Sequence, residues 1–115
     1  MKMNEYQKRA RKTVIYSPDF KITYPALGLA GECGEVCEKI KKWVRGDEKT
    51  GYGAYDTPSE ELVDALELEL GDVLWYVANL ASDLDLDLDV IATKNIDKLL
   101  DRQRRDVIKG DGDDR

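Results

Sequence analysis

The chain has 115 residues, 42% of them hydrophobic and 37% charged, which is enough apolar mass for one folded core under a heavily charged surface. Its 24 acids outnumber 18 bases for a net charge of −6, and that balance argues against a nucleic-acid scaffold. There is no histidine. Histidine-based acid–base chemistry, Ser-His and Cys-His nucleophilic devices and the ExxH ligand sets of di-iron bundles are therefore excluded. Catalytic zinc is disfavoured for the same reason, so a metal here is expected to be a hard ion held by carboxylates.

The first residues, MKMNEYQKRARK, lack the apolar stretch of a signal peptide, and no apolar run approaches the ~20 residues that span a bilayer. A cytoplasmic protein is expected. Cys33 and Cys37 are the only cysteines. One C-x3-C pair is too few for a zinc site, and two reduced, packed thiols are expected.

Taken in chain order, the pattern predicts an amphipathic helix from about Asn4 to Tyr16, with Tyr6, Ala10, Thr13 and Val14 at helical spacing. Lys8, Arg9, Arg11 and Lys12 read as its solvated face. Ser17-Pro18-Asp19 breaks the pattern. A second helix runs from about Pro25 to Arg45, its apolar stripe marked by Leu29, Cys33, Val36, Ile40 and Trp43 or Val44, and Gly46 suits its end. The glycine-rich stretch 46–58 reads as a long loop. Thr57-Pro58-Ser59-Glu60 then signals a helix start, with Thr57 as cap. That third helix is expected over Ser59 to Leu84, striped by Leu66, Leu70, Val73, Val77, Leu80 and Leu84. Alternating Asp and Leu at 85–89 reads as a connection and cap. A last helix follows from about Asp89 to Arg104, and residues 109–115 read as a flexible tail. The expected fold is a single all-α domain over 1–115, a four-helix subunit.

Two stretches on the long helices resemble each other: Leu29 to Val36 reads LAGECGEV and Leu66 to Val73 reads LELELGDV. Glu32 and Glu35 lie about 60° apart on one flank of their helix, and so do Glu69 and Asp72. If the helices pack through their stripes, the four carboxylates converge at one edge, with Gly34 and Gly71 allowing a close approach. Converging acids repel, and they recruit cations or gain protons. On a chain without histidine, Mg²⁺ is the natural neutraliser, and Mn²⁺ a possible substitute. The simpler alternative is solvent-exposed acids on amphipathic helices, which fits a single ExxE better than two in matching context.

The flanks extend the pattern. Asn79 and Asp83 continue the polar stripe of Glu69, Asp72 and Tyr76. Asn95, Lys98, Arg102 and Arg105 form a basic stripe on the last helix, and Lys39 shares a face with Glu32. Acids for metal and cations for phosphate oxygens together suit a Mg²⁺-bound polyphosphate. Lys39, Asn79, Asn95, Lys98 and Arg102 are therefore candidate substrate contacts. Trp43 could stack a base, though core packing is the commoner use of a tryptophan. Trp75 and Leu68 lie opposite the main stripe of the third helix, so that helix has two apolar faces and asks for a second copy of the chain.

GLAGECGEVCEKIKKW and ELGDVLWYVANLA, followed by NIDKLLDR, resemble the motif helices of the MazG-like all-α nucleoside triphosphate pyrophosphohydrolases over roughly Leu27 to Arg105. The resemblance implies a helical subunit that assembles as a homodimer or homotetramer. It implies Mg²⁺ held by Glu32, Glu35, Glu69 and Asp72, and hydrolysis of a (d)NTP to the monophosphate and pyrophosphate. It also implies water as the attacking group, with Glu35 or Glu38 as candidate base. A surface pairing of Glu38 with Lys41 or Lys42 is the plainer reading of that residue. The 46–58 loop is longer than in compact members. No membrane and no nucleic-acid polymer are expected as partners. The rival readings are a non-catalytic helical oligomerisation or partner-binding module, and a nucleotide-sensing domain that binds without turnover.

Overall fold

A computed structural model describes residues 1–46 and 57–115, and most of the loop read over 46–58 lies outside the described residues. Four α-helices follow one another: α1 (Met3–Arg11), α2 (Thr23–Val44), α3 (Glu60–Asp83) and α4 (Leu88–Arg104), with a short 3₁₀ turn at Pro18–Phe20. The fold is all-helical, with no strand among the described residues.

α1 ends earlier than the apolar spacing suggests. The N–H groups of Lys12 and Thr13 bond three residues back, to Arg9 and Ala10, and the Thr13 hydroxyl donates to the same Ala10 carbonyl at 2.7 Å. The β-branched run Thr13-Val14-Ile15 then favours extended chain. Ser17 caps the 3₁₀ turn by accepting from Asp19 N–H. At the head of α3 the cap is Ser59 rather than Thr57: its hydroxyl accepts from Leu62 N–H at 3.0 Å. The two positions are alike in chemistry, and only backbone geometry separates them. Asp87 caps α4 through Asp89 N–H. Gly46, at φ 84°, follows α2 as its left-handed terminator.

α2 packs along α3, α1 lies against α3, and α4 is tied chiefly to α1. A small cluster of Ala10, Ala78, Ala81 and Leu88 is buried, with Tyr6, Trp75 and Val77 against it. Alanines at three of these positions let α1 and α3 approach closely. Gln7 fixes the far end: its amide donates to Ser82 Oγ and the Leu86 carbonyl, and its oxygen accepts from Leu88 N–H at 2.9 Å. The α3–α4 connection is thus held by a side chain of α1.

Two local expectations are corrected. Gly34 and Gly71 do not mediate a close helix approach, since a Cβ at either would meet nothing within 4 Å. Gly28 does: a Cβ there would lie 2.1 Å from the Tyr76 ring. Cys33 and Cys37 are free thiols, but exposed rather than packed.

Candidate metal and nucleotide site

α2 and α3 carry the repeat to one edge. Oxygens of Glu32, Glu69 and Asp72 lie within 4.8 Å of one another. Partial burial, then the charges of Asp72, Glu69 and Glu35, raises the pKa of Glu32 above the ordinary carboxylate range. Glu35 is exposed and stands outside the triad, though close enough to act on Glu32. Lys39, one of the candidate substrate contacts, reaches Glu69 at 3.3 Å and supplies one countercharge. The donors are all carboxylate oxygens, which fits a hard divalent ion and not a soft one.

Beside the triad is a cleft of about 330 Å³ lined by Thr13, Glu32, Asp72, Trp75 and Tyr76. Its wall is aromatic. The Trp75 and Tyr76 rings meet edge to face at 4.9 Å, and Tyr16 stacks on Tyr24 at the same centroid distance. The Trp75 indole N–H donates to Thr13 Oγ1 at 2.7 Å. Burial, a hydrogen bond with Tyr24 and the nearby charges of Glu32 and Asp72 raise the Tyr76 pKa, so its hydroxyl keeps its proton next to the acids.

Eleven residues beyond Asp72, α3 carries a very different carboxylate. The Asp83 side chain is 0% exposed. It pairs with Arg11 at 2.7 Å and accepts from the Tyr16 hydroxyl at 2.8 Å and from Ile22 N–H at 2.9 Å. Burial opposes its charge, but these three donors outweigh burial and lower its pKa.

The remaining candidates are placed as follows. Glu38 pairs with Lys41 at 2.9 Å, and that bond lowers its pKa. Asn79 is fully buried, and its amide donates to the Trp75 carbonyl, away from the triad. Trp43 is half-buried, with its indole N–H enclosed and without a hydrogen-bond partner among the described residues. Lys98 and Arg102 bind Asp113 at 2.8 and 2.9 Å, and the Arg102 side chain is only 5% exposed. Asn95 is exposed on the same helix. Among the described residues, no hydrogen bond or ion pair joins this basic stripe to the triad.

The closing segment, read as a flexible tail, has its own partners. The Arg115 guanidinium donates to the carbonyls of Val107, Ile108 and Gly112, and Arg105 donates to the Arg115 carbonyl at 2.6 Å.

A family model for the MazG nucleotide pyrophosphohydrolase domain matches residues 22–106, which spans the triad, the cleft lining apart from Thr13, and all of α4. The chain belongs to the MazG nucleotide pyrophosphohydrolase family. It is also 40% identical, over 121 aligned residues covering all of both chains, to the Gene 37 protein of Mycobacterium phage L5. No solved structure matches the chain. Among the described residues no helix is long and apolar enough to cross a membrane.

Sequence reading missed Thr13, Tyr16, Tyr24 and the role of Arg11. Thr13 and Tyr16 have no helical spacing relative to the acids, because they lie on the irregular segment 12–22; Arg11 ends α1, and Tyr24 sits in the first turn of α2, eight residues before Glu32. The only signal was the aromatic pair Tyr16 and Tyr24 flanking a Pro-containing break.

Proposed function

We propose that the protein is a Mg²⁺-dependent nucleoside triphosphate pyrophosphohydrolase, converting a (d)NTP to the (d)NMP and pyrophosphate. The observation that carries this reading is the convergence of Glu32, Glu69 and Asp72 within 4.8 Å beside an aromatic cleft. Family membership supports the reaction class. Glu32, Glu69 and Asp72 would hold the metal, with Glu35 close beside them. A bound Mg²⁺, with Mn²⁺ as a possible substitute, supplies charge neutralisation at the phosphate oxygens.

The chain's own groups do the rest. Trp75 and Tyr76 offer flat faces beside the acids, suited to a base or sugar. Tyr76, held protonated, can donate a hydrogen bond into the cleft. Glu35 is the better candidate to take the proton of the attacking water, because Glu38 is already paired with Lys41. Lys39 borders the triad and is the cation placed to meet phosphate oxygens, while Lys98 and Arg102 on α4 are bound to Asp113.

The active form is an oligomer, a homodimer or homotetramer. The radius of gyration is 17.3 Å, against about 13 Å for a compact chain of this length. Leu27 is 70% and Leu68 is 74% exposed, and Leu70, Ile96 and Leu100 are exposed as well. Apolar surface on that scale asks for a second copy. A cytoplasmic location goes with this reading.

Pyrophosphate release from a panel of canonical and modified (d)NTPs, with Mg²⁺ or Mn²⁺, tests it. Release from at least one nucleotide is expected. No release from any of them at high protein concentration would refute it and leave a non-catalytic binding module.

A further inference from the structure

Resting on that reading, we propose that Asp83 is a positioning residue for nucleotide binding: it clamps the segment 12–22 into place as one wall of the cleft beside the metal-binding acids. Asp83 touches neither the triad nor the cleft. Its influence runs through the chain it holds.

Three contacts define the clamp, one on the residue just before the segment and two within it. Arg11 sits where α1 ends, Tyr16 sits mid-segment, and Ile22 sits where α2 begins. One carboxylate therefore fixes both ends and the middle of the crossing between α1 and α2. The segment is one that needs fixing. Ile22 has φ 69° and ψ −57°, and Thr23 N–H bonds back to the Lys21 carbonyl at 2.7 Å. That is a three-residue γ-turn centred on a β-branched residue, a rare and strained conformation. Such a residue persists only where its surroundings over-determine it, and strain of this kind gathers at functional sites. Asp83 takes the N–H of that very residue.

The held segment delivers two groups to the site. Thr13 lines the cleft and accepts from the Trp75 indole. Tyr16 stacks on Tyr24 and stands edge-on to Trp75 at 6.5 Å. The orientation of the Trp75 ring, and through it the Tyr76 ring, thus depends on where segment 12–22 lies. The metal-binding acids do not depend on it, since all three are carried by α2 and α3. Nucleotide binding and metal binding should therefore respond differently when the clamp is released.

The test compares wild type with Asp83→Asn by calorimetric titration, using Mg²⁺ alone and then the four α,β-imido deoxynucleoside triphosphates with Mg²⁺. Trypsin cleavage after Lys12 and Lys21 is followed in parallel. In the variant, nucleotide affinity is expected to fall about tenfold, while Mg²⁺ affinity stays within about twofold. Cleavage at Lys12 and Lys21 should accelerate, with nucleotide protecting these sites in the wild type and no longer in the variant. Faster cleavage with unchanged nucleotide affinity would overturn the proposal, leaving Asp83 a support of the segment alone. Parallel loss of Mg²⁺ and nucleotide affinity would also overturn it, because the acids would then depend on the clamp. If Asp83→Asn does not fold, Tyr16→Phe removes one contact and keeps the ring, and a loss of about threefold in nucleotide affinity alone is expected; no loss there would overturn the proposal. If the wild type binds none of the four, the α,β-imido analogue of the nucleotide it hydrolyses in the pyrophosphate-release panel takes their place; a wild type that binds and hydrolyses no nucleotide would instead overturn the proposed function, and is seen before any variant is made.

Discussion

Helix α3 carries two acidic sites three turns apart, and they are opposites. At its middle Asp72 joins Glu32 and Glu69, three acids with Lys39 as a nearby cation, and the Glu32 pKa is raised. At its C-terminal end Asp83 has three donors for one buried carboxylate, and its pKa is lowered. The residue types are the same. What differs is the ratio of acids to donors, and that ratio separates a group that recruits a cation from one that organises the chain around it.

Removing a ligand from the first site should have the largest effect. Glu69→Gln or Asp72→Asn is expected to lower turnover by more than about a hundredfold, because even groups that only support a metal ligand are worth that much. Helicity by circular dichroism should be unchanged. Turnover close to wild type in both variants would show that the triad is only surface charge.

The second site should answer in stability. Asp83→Ala leaves Arg11, the Tyr16 hydroxyl and a strained N–H without their acceptor, and a loss of about 3 kcal/mol in urea unfolding is expected. Glu32→Gln should do the reverse in the absence of metal, raising stability slightly by removing one of three repelling charges. Equal destabilisation by both variants would erase the distinction between the sites.

Their pH responses should also run in opposite directions. Glu32 binds its proton more tightly when folded than when unfolded, so its contribution to stability falls as pH rises from about 4.5, the ordinary glutamate value, through its raised pKa. Mg²⁺ should therefore raise the melting temperature more at pH 7 than at pH 4.5. Asp83 is lowered, so its contribution is complete above about pH 4 and is lost as pH falls through its folded pKa. Melting curves across pH, with and without Mg²⁺, separate the two.

The smallest effect is expected on α4. Asp113 is held at a pKa of about 2 by Lys98 and then Arg102, but the carboxylate is exposed and screened. Asp113→Asn should lower the melting temperature slightly at pH 7 and progressively less as pH falls toward and below 2.

The sequence carried the helices and the acids well, because both follow the helical period. Glu32, Glu69 and Asp72 could be placed on one edge from spacing alone. Helix ends were less legible: Thr57 and Ser59 are equally good caps on paper, and Thr13 looked like a helical position until its hydroxyl turned back to Ala10. The two mid-helix glycines invited a packing role that belongs to Gly28, whose neighbour Tyr76 is distant in sequence. Asp83 was visible only as the end of a polar stripe. Its partners are 61 to 72 residues away along the chain, on the last residue of α1 and on the irregular segment after it, with no common period to read.

Carboxyl carbon NMR, titrated over pH with and without Mg²⁺, reads both acidic sites at once. Without metal, Glu32 is expected to titrate above the ordinary glutamate range and Asp83 below the ordinary aspartate range. Mg²⁺ should drive the Glu32 midpoint down and leave Asp83 where it was. A Glu32 midpoint in the ordinary range, unmoved by Mg²⁺, would contradict a metal site at the triad.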